Sequence, residues 1–348
     1  MSNDDRAVFS SPAIAAGGEG SPAEDAGLAA LQEDPRRLLS LAEVSEPSDS
    51  YKDYLNQVSS LDRIFKSILR RARADIRMVD TVAQRLLTAV RDKPGGLISY
   101  ILGGEVRRYE LAKSAVNTAI LSAHIALEMK LPSHRIMQTI TGALLHDVGM
   151  LRLPQDLVKK TGALSPEELR RMQTHTLYSY RIVHEEMNYS TELGTLALQH
   201  HEHWDGSGYP QGVAGEDIHP GARIVSVCDA FEAMVSEKPY RNSMLGYQAM
   251  KNLLADNSRR FAPDVLKSLI TVMGIYPIGS IVLLNNGAMA RVANVRRDAP
   301  LRPRLAVLVD PEGKVPRQDQ GEHLDLLLEK SLYIVRAINP DELTKDAL

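Results

Sequence analysis

The sequence predicts a mainly α-helical protein, a helical bundle with an N-terminal helical segment and a small β-rich C-terminal appendage. Three observations predict it. Apolar residues recur at helical spacing through most of the stretch from residue 61 to 273. Histidines and aspartates interrupt those apolar runs, several of them where a helix is expected to end. Beyond Gly274 the pattern changes to short apolar runs joined by Asn-Gly and Pro-Glu-Gly turns. The expected organisation is a disordered leader over residues 1–50, a helical segment over 51–96, a central helical domain over 97–273 and the β-rich region over 274–348.

Residues 1–50 are rich in Ala, Ser, Gly, Pro and Glu, with Phe9 their one aromatic, so they bury too little apolar surface to offset the entropy of ordering. Leu61, Ile64, Phe65, Ile68, Leu69, Ile76, Val79, Val82, Ala83, Leu86, Leu87 and Val90 share one helical face. A single long amphipathic helix is expected there, stopped by Pro94-Gly95-Gly96, with Arg70, Arg71 and Arg73 on a solvated face. Two further helices are expected, from Glu105 to Lys130 and from Ser133 into Leu144-Leu145-His146-Asp147-Val148-Gly149-Met150. A charged pair closing an apolar segment costs several kcal/mol unless it is paired or metal-bound, so Asp147 requires an explanation.

Ser165-Pro166-Glu167-Glu168 combines a capping hydroxyl, a proline at the first helical position and a glutamate three residues after the cap. The helix it opens carries His175 between Met172 and Leu177, and His184, beside Glu185 and Glu186, reads as a surface residue. The next apolar helix ends in His200-His201 and runs into a glycine-rich turn closing at Pro210. Residues 222–234 form another apolar run that holds Asp229, where an unpaired carboxylate is costly, and Cys228, which reads as a small core residue. After Pro263 a short helix leads to Gly274-Ile275-Tyr276-Pro277. Residues 281–284 and 288–295 flank Asn285-Asn286-Gly287 as a hairpin, 305–309 form a third strand, and 324–337 fit helix or strand.

Composition narrows the function. The chain has 348 residues, mixed charges and a net charge of −3, without the basic stripe that a long nucleic acid requires. The single cysteine rules out an internal disulfide and suits a reducing compartment. The first residues lack a secretory pattern, and no apolar run approaches the ~18 residues of a membrane span, so a cytoplasmic protein is expected.

Collected along the chain, the expensive polar groups are His146, Asp147, His175, His200, His201 and Asp229. Six nitrogen and oxygen ligands without sulfur suit iron, manganese or zinc in a two- or three-ion cluster. Adjacent helical residues point about 100° apart, so His200 and His201 are expected to serve two ions side by side. Such clusters polarise a phosphoryl group and lower the pKa of a bridging water, chemistry that fits an anionic phosphodiester.

Order and spacing here resemble the HD-GYP domain phosphodiesterases, a branch of the HD superfamily of metal-dependent phosphohydrolases. The motifs that carry the resemblance are His146-Asp147-Val148-Gly149, His175, His200-His201-Glu202, Asp205-Gly206-Ser207-Gly208-Tyr209-Pro210, Asp229 and Lys238-Pro239-Tyr240-Arg241. The region beginning Tyr276-Pro277-Ile278-Gly279 also resembles what commonly follows this domain. The resemblance implies hydrolysis of the bacterial second messenger cyclic-di-GMP to pGpG or GMP at a centre of two or three iron or manganese ions. It implies His146, Asp147, His175, His200, His201 and Asp229 as metal ligands, with His146 and Asp147 at the catalytic centre and Glu110 serving an additional ion. It places Lys238 and Arg241 near the substrate phosphates, and Gly208, Tyr209 and Pro210 at the substrate and at contacts with diguanylate cyclase (GGDEF) domains. A homodimer is compatible with it.

Two departures bear on activity. Four residues after Glu110, on the same helical face, the family places a metal-binding histidine, and this chain has Ser114. Where a lysine usually follows the His-Asp-x-Gly segment, this chain has Met150. Two readings therefore stay open: a cyclic-di-GMP phosphodiesterase of reduced rate, and a catalytically weakened sensor or scaffold that binds nucleotide or a cyclase partner. A hydrolase of another nucleotide is a third.

Overall fold

The computed structural model describes residues 49–72, 75–92, 96–103, 111–236, 246–255, 259–314 and 323–338. The helices are α1 (Asp49–Leu69), α2 (Ile76–Asp92), α3 (Gly96–Gly103), α4 (Leu111–Glu128), α5 (Ser133–Leu145), the short α6 (Gln155–Val158), α7 (Pro166–Gln173), α8 (His175–Tyr180), α9 (Thr191–Gln199), α10 (Pro220–Val235), α11 (Gly246–Ala255) and α12 (Pro263–Met273). The strands are β1 (Ile281–Leu284), β2 (Met289–Asn294), β3 (Arg304–Val309), β4 (His323–Asp325) and β5 (Ile334–Ile338). Helical bundle and small sheet are thus the predicted class.

Helix α4 is the axis of the bundle. Every residue from 114 to 126 is buried, which is the condition of a helix surrounded by others rather than lying on a surface. Its Ala, Ser and Thr residues let α5 and α10 approach closely on two sides, while α1, α2 and α12 cover the rest. One apolar core runs from Tyr54 in α1 to Met273 in α12. Each fully buried Leu or Ile in it stabilises the fold by about 1.5–3 kcal/mol relative to exposure.

The expected long helix over 61–90 is two helices. Arg70 and Arg71 form an exposed turn, with Arg71 in the left-handed region at φ 56°. The apolar period stays in phase across the break because α1 and α2 line the same core, so periodicity alone does not report the reversal. The usable signal was the lack of any large apolar residue from Arg70 to Asp75. Arg73 and the start of the helix expected from Glu105 lie outside the described residues.

The capping box of α7 is present: Ser165 Oγ accepts from the Glu168 amide at 3.2 Å, and the Glu168 carboxylate accepts from the Ser165 amide at 2.7 Å. His175 does not sit inside that helix. The Thr174 hydroxyl donates to the Arg171 carbonyl at 2.7 Å, α7 closes, and His175 opens α8. His184 is half-buried rather than solvated, its Nδ1 donating to the Tyr189 carbonyl at 2.9 Å.

The five strands form one antiparallel sheet in the order β4-β3-β2-β1-β5. Asn286 and Gly287, the latter at φ 87°, turn β1 into β2 in the register Ile281↔Arg291 and Leu283↔Met289. Both faces are covered: Ile281, Leu283 and Met289 pack on one, Val282, Leu284, Ala290 and Val292 on the other, which explains the unbroken apolar run of β1. The ambiguous stretch 324–337 resolves into a turn and parts of β4 and β5, on opposite edges of the sheet. Arg297, just past β2, pairs with Glu128 of α4 at 3.1 Å.

Candidate metal centre

His146 caps the C-terminus of α5 with helical dihedrals, and the next residue, Asp147, leaves the helix at φ −101°, ψ 8° to begin a 3₁₀ turn (Val148–Arg152). That turn lies directly on α8. The Gly149 amide donates to Ser179 Oγ at 2.9 Å, and a β-carbon at position 149 would stand 2.0 Å from the His175 carbonyl oxygen. The glycine after His-Asp is therefore what lets Asp147 and His175 meet. His200 caps α9, and Asp229 comes from the middle of α10.

Three imidazoles are oriented alike. Nδ1 of His146 donates to the Ala143 carbonyl at 2.7 Å, that of His175 to Met172 at 2.7 Å and that of His200 to Ala197 at 2.8 Å. Each proton is thereby assigned to Nδ1, and each Nε2 lone pair points at the centre, the arrangement that metal-binding histidines use. Asp147 Oδ1 lies 3.1 Å from His175 Nε2 and 3.5 Å from His200 Nε2, while Oδ2 lies 3.7 Å from His146 Nε2. Asp229 Oδ1 lies 3.5 Å from His146 Nε2. Two ligand groups result, Asp147-His175-His200-His201 and His146-Asp147-Asp229, each with its ligating atoms within 4.8 Å of one another. Asp147 is common to both, with one oxygen facing each.

These groups fit divalent cations. Nε2 of His146, His175 and His200 and Oδ1 of Asp147 are buried without a hydrogen-bond partner. Four such orphans facing one another cost several kcal/mol in a site with no ion. His200 and His201 belong to the same group, contrary to the expectation of one ion each. The 100° offset holds only inside a helix, and His201 lies beyond the end of α9, so its ring folds back to within 4.1 Å of the His200 ring.

Electrostatics of the metal-free site follow from burial and proximity. Burial lowers the His146 pKa, but the Asp147 and Asp229 carboxylates outweigh it and carry the imidazole up to about 9. Burial, then the neighbouring imidazoles, hold His201 well below its ordinary value, and burial lowers His200. Burial raises the Asp229 carboxyl, yet the His146 imidazole, 3.5 Å away, takes it down to about 2. Cys228 is buried and free, its thiol pushed up to about 12 by burial, as suits a core residue.

The loop after the histidines is built on Glu202, a buried carboxylate that sequence reasoning quoted but gave no role. It accepts from the Gln211 amide at 2.6 Å and the Gly212 amide at 3.1 Å, closing the loop on itself. Gly208 is demanded by space: a β-carbon there would lie 2.3 Å from the His203 nitrogen and 2.5 Å from the His201 carbonyl oxygen. The Tyr209 ring stacks on His201 at 4.8 Å and 28°, followed by a cis peptide to Pro210.

Ser114 is buried and donates to Glu232 Oε2 at 2.6 Å; Asn117 Nδ2 donates to Oε1 of the same carboxylate at 3.1 Å and accepts from the Tyr54 hydroxyl at 2.8 Å through its own side-chain oxygen. Glu232, one turn beyond Asp229, was not singled out from sequence, although a carboxylate between Phe231 and Ala233 was the available signal. Met150 is half-buried in the 3₁₀ turn. Glu110, Lys238 and Arg241 lie outside the described residues.

Residues 102–265 match the HD domain family, and residues 281–346 match the KOW domain associated with HD domain. A curated cyclic di-GMP phosphodiesterase of Pseudomonas aeruginosa is 29% identical over 243 residues, covering 70% of this chain and 57% of the relative. One from Thermotoga maritima is 30% identical over 206 residues, covering 59% and 56%. The chain thus spans a little over half the length of these relatives. The solved structure of Bd1817, an HDG"Y"P protein from Bdellovibrio bacteriovorus, superposes with a TM-score of 0.53 at 17% identity, over 68% of this chain and 74% of that one, a likeness of fold. Fold, site and family match together mark an HD domain over residues 102–265. Within that class, the motifs of the chain resemble the HD-GYP type.

Proposed function

We propose that the chain is a cyclic-di-GMP phosphodiesterase that uses two divalent cations, iron or manganese. The observation that carries this reading is that Nε2 of His175 and His200 faces one oxygen of Asp147 and Nε2 of His146 the other, all three nitrogens being buried without a hydrogen-bond partner. Bound cations supply Lewis-acid activation of water and of the phosphoryl group. Asp147 spans both ligand groups and so fixes their separation. His146, His175, His200 and His201 add no negative charge as neutral ligands, so only Asp147 and Asp229 offset two dications among the described residues, and the site keeps a positive balance for a phosphodiester anion. Tyr209, kept protonated because burial raises its phenol, presents an O–H beside His201 to donate to a phosphate oxygen. Ser114 commits its hydroxyl to Glu232 instead of a cation, which favours two ions over three.

Turnover of cyclic-di-GMP, cyclic-di-AMP and pGpG by anaerobically purified protein in Fe(II) or Mn(II) tests the reading. Conversion of cyclic-di-GMP to a linear product supports it, with a higher metal content and rate in Ser114→His. Saturable nucleotide binding without product in either metal would instead favour the sensor reading. Cyclase docking on Gly208-Tyr209-Pro210 and homodimer formation are separate proposals, addressed by pull-down with a GGDEF domain and by solution mass.

A further inference from the structure

The loop that carries Gly208-Tyr209-Pro210 is held from outside by two consecutive arginines. The Asp205 and Trp204 amides donate to the carbonyls of Arg259 and Arg260, each at 2.8 Å, so the backbone before α12 is fastened to the loop like a short strand. The side chains follow. Arg259 Nε reaches Asp205 Oδ2 at 3.8 Å, and Arg260 Nε donates to His203 Nε2 at 3.4 Å while its guanidinium lies over the Phe261 ring at 5.4 Å. A guanidinium can only donate, so His203 Nε2 accepts and its Nδ1 carries the proton toward Ser207 Oγ at 2.9 Å; Ser207 in turn donates to Asp205 Oδ1 at 2.6 Å. Four side chains in series thus fix where the Arg260 charge sits.

It sits on the loop that borders the candidate metal centre. His203, to which Arg260 is bonded, is two residues beyond His201, and the same loop carries Tyr209, whose ring stacks on His201 at 4.8 Å. A cyclic dinucleotide carries two phosphodiesters, and only one can be attacked at a time. The other brings a negative charge that the cations do not meet. Arginine is the side chain best matched to a phosphate, through paired N–H donors and a permanent charge.

We propose that Arg260 is a substrate-binding residue that holds the phosphodiester not under attack. This rests on the phosphodiesterase reading above. Steady-state hydrolysis of cyclic-di-GMP by the wild type, Arg260→Ala and Arg260→Gln tests it, with metal content and melting temperature measured on each. Gln keeps a donor for His203 but removes the charge, so it separates charge from loop support.

Both variants are expected to raise KM about tenfold or more, with kcat within about twofold and metal content unchanged, because removing an interaction made equally in the ground state and the transition state weakens binding without slowing chemistry. The penalty should shrink on bis(p-nitrophenyl) phosphate, which has a single phosphodiester. A wild-type KM in Arg260→Gln overturns the assignment, and so does a fall in kcat that tracks metal loss. Wild-type protein that neither hydrolyses nor binds cyclic-di-GMP sinks the phosphodiesterase reading itself, and is told apart from the other failures by needing no variant.

Discussion

Asp147 and Gly149 show how much of the site single positions decide. Replacing Asp147 by Asn leaves the shape and removes the charge that faces both ligand groups, so bound metal measured by elemental analysis should fall, with activity down about 100-fold or more. Wild-type metal content in that variant would remove Asp147 from the ligand set. Gly149→Ala should act without touching a ligand, because its new methyl collides with the His175 carbonyl and pushes α8 off the turn. Metal affinity is expected to drop while the helical circular dichroism stays. His146 adds a pH signature. Its metal-free pKa, raised from 6.5 to about 9, means its ion pairs with Asp147 and Asp229 stabilise the metal-free fold fully below 6.5 and lose that contribution as pH rises through about 9. Melting temperatures of the metal-free protein should therefore fall over that interval, and those of the loaded protein should not follow, since the cation has replaced the proton. The residues that converge were legible because burying unpaired His and Asp is costly. Glu202 and Glu232 were not assigned roles because their partners are amides, hydroxyls and an Asn that no local pattern announces.

At the level of elements, the site depends on three helix ends and one helix middle being brought together. Glu232 is one tie: through Ser114, Asn117 and Ser236 it fastens α4 to the end of α10, and through Asn117 to Tyr54 of α1. Glu232→Ala strands several buried donors and is expected to destabilise the protein by about 3 kcal/mol, read from denaturant unfolding. A loss within about 0.5 kcal/mol would show that the network carries no weight. Element identity was legible wherever capping or turn chemistry accompanied the period, as at Ser165 and Asn286-Gly287. Boundaries were lost where the period alone spoke: α1 and α2 merge in sequence because both face the same core, and His175 is separated from α7 by a hydroxyl bond at Thr174. The placement of His200 and His201 failed for a related reason, since helical geometry was extended one residue past the end of α9.

On the scale of the whole chain, a helical bundle positions the ligands and a sheet covered on both faces is attached to it. The Tyr247 and Tyr276 rings stack at 5.2 Å, and Pro277 lies where a β-carbon on Gly246 would meet it at 3.3 Å, so the sheet begins against α11. Among the described residues, no helix is long and apolar enough to cross a membrane. The class of fold was legible from two changes of period, while the order of strands, set by pairing between distant segments, was not. The phosphodiesterase reading requires side chains from four separate segments to close around cations, and anomalous diffraction at the iron or manganese edge from crystals of the anaerobically loaded protein measures this directly. Two peaks that share Asp147 are expected, one also bound by His175, His200 and His201 and the other by His146 and Asp229. A loaded protein with no peak at these residues, or with Asp147 turned away from every ion, would contradict the shared-carboxylate centre.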